Sequence, residues 1–185
     1  MKKKKIILLN GPPRCGKDFA GGILWDILPD AQVNKFAAQL KVRTHALYLK
    51  FDRHGLAFLH DHYEDCKDMP HPDFEGATPR EAYIAFSEQY VKPLHGEAQF
   101  GRWLLDQIQD TPYETHIITD SGFVPEAKVL IEAFDAENIT LVRIHREGCG
   151  FSSDSRSYLE LPVKTIDIVN AGDASFSDLL LEHIL

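Results

Sequence analysis

Residues 8–19 read LLNGPPRCGKDF. Gly11 and Gly16 bracket four residues, and Lys17 follows at once, which is the G-x-x-x-x-G-K spacing of a loop that wraps phosphate. In such a loop the backbone N–H groups across residues 13–18 converge on an anion, and the N-terminus of the next helix adds positive partial charge. Lys17 supplies a point charge between two phosphates. Where a Ser or Thr hydroxyl usually meets a magnesium ion, this chain has Asp18. A carboxylate can hold magnesium directly or through water, although it brings negative charge close to phosphates. Arg14, inside the loop, is placed to offset that charge. Cys15 in the same loop could be a reactive thiol, since a helix N-terminus lowers thiol pKa, but a small filler residue is the plainer reading.

A phosphate loop needs a strand before it and a helix after it, and the flanking sequence has that order. KIILL (5–9) is a short apolar run, as expected of a buried parallel strand. From Lys17 to about Leu28, Phe19, Ala20, Ile23, Leu24, Ile27 and Leu28 recur at helical spacing, and Pro29 closes the segment. VNKFA (33–37) reads as a second short strand, and 37–60 as helical, with Leu40, Ala46, Leu47, Phe51 and Leu56 facing inward and Gly55 interrupting. Residues 61–77 read as a polar loop. Thr78, Pro79 and Glu81 form a capping box for a helix that runs to about Val91 and ends at Pro93. A further helix spans 97–109. THIITD (115–120), ITLVRIH (139–145) and TIDIVN (165–170) read as strands, with helices over 124–136 and at the C-terminus. Strands alternating with helices imply a parallel sheet whose ligands bind beyond the carboxyl ends of the strands. Asn10, Asp120, His145 and Asn170 stand at those ends.

The 185-residue length fits one domain able to bury roughly two thirds of its unfolded surface. Three scattered cysteines argue against a disulfide framework and for a reducing cytoplasm. MKKKK followed by IILLN is too short for a signal peptide, and no apolar stretch is long enough to span a membrane. The net charge of −8 leans away from a nucleic-acid surface and toward a small anionic ligand held by a few local cations.

GPPRCGKDF, VNKFAAQLK, TPREA, HIITD and VNAGDASFSDLL occur in an order that resembles the deoxynucleoside monophosphate kinases of tailed bacteriophages. The likeness covers most of the chain outside 50–77. It implies an α/β, P-loop nucleoside-kinase-like three-layer sandwich with a mostly parallel sheet. A helical acceptor-side insertion would cover about 37–110, and a lid-like loop about 146–160. It further implies ATP and Mg2+ as cofactors, a nucleotide donor and acceptor as partners, and a cytoplasmic location, in the host if phage-encoded. A homodimer is compatible with it. Gly11, Pro13, Arg14, Cys15, Gly16, Lys17, Asp18 and Phe19 then correspond to the ATP loop, with Asp18 on the metal. Lys17, Arg14, Asp120 and Arg146 fall at catalytic positions. Arg146, Asn170 and Gly172 lie toward the donor nucleotide, and Arg80, Arg102, Asp120, Phe123 and Arg156 toward the acceptor.

Blander roles exist for several of these: a solvated helix residue for Arg80 and Arg102, and a helix cap for Asp120. One departure matters. Such kinases commonly follow this aspartate with an arginine that grips the acceptor phosphate, whereas this chain reads DSGF, with Ser121, Gly122 and Phe123. A hydroxyl acceptor is the alternative. Asp120 would take its proton, Phe123 would stack on a base, and the substrate would be 5-hydroxymethyluracil within DNA. A non-catalytic nucleotide-binding module is a further alternative. A phosphate-loop GTPase would need an N-K-x-D segment, which VNAGD does not supply. His60, His62, Cys66 and His71 fit no standard zinc spacing and read as a solvated loop.

Overall fold

The computed structural model describes residues 4–49, 63–152 and 155–184. Its strands are β1 (Lys5–Asn10), β2 (Ala31–Asn34), β3 (Thr115–Ser121), β4 (Ile139–His145) and β5 (Lys164–Val169). Its main helices are α1 (Lys17–Ile27), α2 (Ala38–Leu49), α3 (Pro79–Phe86), α4 (Gln99–Gln109), α5 (Val124–Phe134) and α6 (Ser175–Ile184). Two compact units result, Met1–Phe36 with Gly101–Leu185, and Ala37–Phe100.

The first unit is an α/β sandwich on a five-stranded, all-parallel sheet of order β2-β3-β1-β4-β5. Strand β1 lies at the centre, which is why its run is apolar on both faces. Ile7, Leu9, Ile117, Val142, Ile144 and Ile168 point to one face and cluster with Ala20 and Leu24 of α1 and Phe176 and Leu180 of α6. Side chains alternate along a strand, so Ile6, Leu8, Ile118 and Leu141 face the other way, where they are equally buried. Leu104 and Ile108 of α4 and Ala127 and Leu130 of α5 are buried as well. Gly101 lets these two helices touch, since a Cβ there would lie 2.5 Å from the Glu126 carbonyl oxygen.

Chain direction explains the layering. The β1–α1–β2 connection passes β3 in one direction, and β3–α5–β4 passes β1 in the other. Right-handed crossovers running opposite ways put α1 and α5 on opposite faces. The loops after β1 and β3 therefore diverge and leave a crevice at the carboxyl ends of these neighbouring strands. Two steps of β1, Leu8 to Asn10, match three of β3, Ile118 to Ser121. This irregularity re-aims the end of β3 beside the crevice.

Several expectations need correcting. β2 begins and ends earlier than VNKFA, because the Phe36 N–H turns away to the Asp120 carboxylate instead of extending the ladder. On α1, Phe19 and Ile27 are exposed at 62% and 44%, so the apolar spacing overstated its buried face. The helix begun by the Thr78–Glu81 capping box does not stop at Pro93. It continues through a π turn over Ser87–Val91 into Lys92–His95, and the wider turn gives the proline ring room that an α-helix would deny it.

In the second unit, the stretch expected as a polar loop supplies the core. Tyr63 and Phe74 are each 1% exposed and pack with Ala82, Tyr48 and Cys66. Pro72–Phe74 forms a 3-10 turn. His45, fully buried, meets the Tyr83 hydroxyl at 2.8 Å. Burial would raise the Glu64 pKa, but hydrogen bonds from Lys41 and Lys67 hold it down at about 2. Phe51, Gly55, Leu56, His60 and His62 lie outside the described residues.

Helix α1 sits close over β3 because Gly21 has no side chain. A Cβ there would come within 2.5 Å of Thr119 Cγ2, whereas one at Gly22 would meet nothing within 4 Å. Gly21→Val is therefore expected to destabilise the protein by about 1–3 kcal/mol. Gly22→Ala should be neutral or stabilising by up to about 1 kcal/mol. Paired urea melts check both, and equal effects at the two positions would contradict the packing described.

Candidate functional site

The loop from Gly11 to Gly16 joins the end of β1 to α1. Close approach explains both glycines. A Cβ on Gly11 would lie 2.6 Å from both Cys15 Sγ and the Ile144 carbonyl, and one on Gly16 would lie 2.5 Å from Asn170 Nδ2. Gly16 also holds φ of 106°, a left-handed value that suits glycine. No side chain caps α1, so its first N–H groups face the loop without a competing carboxylate or hydroxyl cap. Pro13 has no N–H and cannot share in the expected row of donors, which begins at Arg14.

Lys17 is 8% exposed and curls back over the loop. Its Nζ donates to the carbonyls of Gly11 at 2.8 Å and Pro12 at 2.7 Å. Burial pulls its pKa down, the Cys15 thiol opposes that, and the Arg156 charge reinforces it. Cys15 is fully buried, and burial raises its pKa despite neighbouring Lys17. It is the filler residue, not a reactive thiol.

Asp18 projects from the first turn of α1 with three quarters of its side chain exposed. Thr119 Oγ donates to its Oδ1 at 3.0 Å, and Lys35 Nζ lies 3.0 Å from the same atom. Burial would raise its pKa, but these two partners lower it, so it stays ionised. One exposed carboxylate fits magnesium, which keeps most of its waters and shares few protein ligands. Among the described residues, no group of three or more His, Cys, Asp or Glu gathers for a metal. Asp120, at the end of β3, accepts the Phe36 N–H at 2.8 Å and so anchors the turn after β2.

Asn10 was expected only as a strand end, yet its buried amide is the junction of the site. Nδ2 donates to the carbonyls of Ser121 at 2.9 Å and Ser157 at 3.1 Å, while Oδ1 accepts the Leu159 N–H at 2.9 Å. On the other flank, Asn170 Nδ2 donates to the Cys15 carbonyl at 2.8 Å, and its Oδ1 accepts the Gly172 N–H at 2.9 Å. Asn170, 5% exposed, thus ties the loop to the turn after β5. Next to it opens a pocket of about 510 Å³, lined by Gly16, Phe19, Arg146, Asn170, Gly172 and Asp173 among others. Phe19 stacks on Phe176 beneath it, with ring centroids 6.3 Å apart. Arg146 Nη1 reaches the Arg14 carbonyl at 3.5 Å. An exposed aromatic face, a guanidinium and turn backbone suit a planar base.

The first unit thus gathers Gly11, Arg14, Gly16, Lys17, Asp18, Asp120, Arg146, Arg156, Asn170 and Gly172 around the sheet's carboxyl edge. Phe123 is the half-buried residue before α5, and Arg102 is exposed on α4. Arg80 belongs to the second unit, where its exposed guanidinium pairs with Asp68. Thr119 and Lys35 were missed by sequence reasoning, because only the β3 register brings them to Asp18. No protein-family model matches this chain, and no curated protein matches its sequence.

Cysteine labelling tests the loop. Iodoacetamide should modify the half-buried Cys66 and Cys149 in the folded protein and Cys15 only after denaturation. Peptide mass spectrometry reads this, and rapid native labelling of Cys15 would contradict its burial.

Proposed function

We propose that this protein is a phosphotransferase that moves the γ-phosphoryl group of ATP to a nucleotide acceptor, a deoxynucleoside monophosphate. The observation that carries the reading is the glycine loop at the mouth of the β1–β3 crevice, with Lys17 folded onto loop carbonyls and the Asp18 carboxylate beside it. A phosphate in the loop would draw Lys17 Nζ off the Gly11 and Pro12 carbonyls, exchanging neutral acceptors for an anionic one. The uncapped N-terminus of α1 adds to that attraction. The base would lie against Phe19 and Arg146.

In the transfer, the bond from the γ-phosphorus to the β–γ bridging oxygen breaks and its electron pair stays with ADP. An acceptor oxygen bonds to the same phosphorus. Such a reaction asks the protein for alignment and charge neutralisation more than for covalent help. Asp18, oriented by Thr119 and Lys35, would hold magnesium. The ion, when bound, neutralises phosphate charge. Asp120, near the end of the neighbouring strand, would lie toward the acceptor, with its carboxylate fixed by the Phe36 N–H. Free thiols at all three cysteines accord with work in the cytoplasm, and no described helix is long and apolar enough to cross a membrane.

Labelled ATP, offered with a panel of deoxynucleoside monophosphates and with DNA containing 5-hydroxymethyluracil, tests the assignment. Label should appear on a monophosphate, and label on the DNA alone would replace the acceptor proposed. Lys17→Ala should cut transfer by far more than tenfold, the equivalent of about 1.4 kcal/mol, with an unchanged melting curve. Survival within tenfold would remove Lys17 from its role.

A further inference from the structure

Gly122 follows β3 and is buried, yet its backbone is not in the left-handed region that would demand glycine. What demands it is Arg156. A Cβ on Gly122 would lie 2.7 Å from Arg156 Cγ and 3.3 Å from Cβ, with Cδ nearer still. The arginine stem therefore fills the space that any side chain at 122 would claim. The backbone beyond Arg156 is fixed as well, through Asn10, whose amide holds the Ser157 carbonyl and the Leu159 N–H.

We propose that Gly122 and Asn10 are positioning residues that seat Arg156 beside Lys17, so that the two cations together grip one polyphosphate. This rests on the phosphate-loop reading above. Two like charges held close repel each other, and an anion between them relieves that cost. Geometry brings the two cations to one place: the Asn10 amide holds the Ser157 carbonyl next to Arg156, and the adjoining Gly11 carbonyl accepts from Lys17 Nζ. The Arg156 charge accordingly helps lower the Lys17 pKa. A guanidinium fork adds bidentate contacts that an ammonium cannot make. The strand that carries no cation at its end thus receives one from a distant segment.

The test uses inorganic triphosphate with magnesium as the probe, titrated by calorimetry. Arg156→Ala should weaken binding about tenfold or more, and Arg156→Lys should recover part of it. Gly122→Ala should weaken binding comparably by evicting the arginine. In the Arg156→Ala background, however, Gly122→Ala should cost nothing more, because its effect passes through Arg156. Thermal melts of each variant separate this from unfolding. Additive losses in the double variant, or unchanged affinity in Arg156→Ala while Lys17→Ala still abolishes binding, would overturn the clamp and leave the phosphate loop standing. Failure of the unaltered protein to bind triphosphate would overturn both.

Discussion

The buried amide of Asn10 is the interaction on which the rest of the site depends. It ends the central strand and makes three hydrogen bonds, to the strand beside it and to a segment almost 150 residues away. A buried amide is costly unless satisfied, and a satisfied one tolerates few alternative geometries. The carboxyl ends of β1 and β3 and the 157–159 segment are therefore held as one piece. The glycine loop starts at the next residue and inherits that fixed origin. Asn170 does the same from the opposite flank, so both ends of the loop are tied to strand termini by asparagine side chains.

The strand–loop–helix order around the glycines was legible because its parts are local in sequence. A run of apolar residues, two glycines, a lysine and an amphipathic helix lie within about twenty positions, and each has its own propensity. The sheet was legible for the same reason, as buried parallel strands are apolar throughout. What escaped was whatever depends on register or on contacts distant in sequence. The Thr119–Lys35 grip on Asp18 exists only because β2, β3 and α1 are neighbours. The π turn at Ser87–Val91 likewise follows no local signal other than a proline that would ordinarily end a helix. Polarity misled over 61–77, where two aromatic residues outweigh many charged ones in deciding where the second unit keeps its core.

Charge in the first unit is arranged against the protein's overall sign. A chain of net charge −8 collects Arg14, Lys17, Arg146 and Arg156 at one edge of its sheet. Among the described acidic residues there, Asp18 pairs with Lys35, Asp120 accepts a backbone N–H and Asp173 accepts from Ser175. The remaining negative charge would repel anions elsewhere, so attraction would be confined to the region where backbone donors can complete it.

The posture of Lys17 carries one last consequence. Its ammonium already has two carbonyl partners within the loop, so it is not a bare charge. Chloride or a lone acetate offers too little to displace those partners. A multiply charged chain of phosphates would offer several contacts at once. Under the function proposed, the loop would act as a threshold device, indifferent to the weak anions that fill a cell and responsive to the few whose charge density exceeds its own internal hold on the lysine.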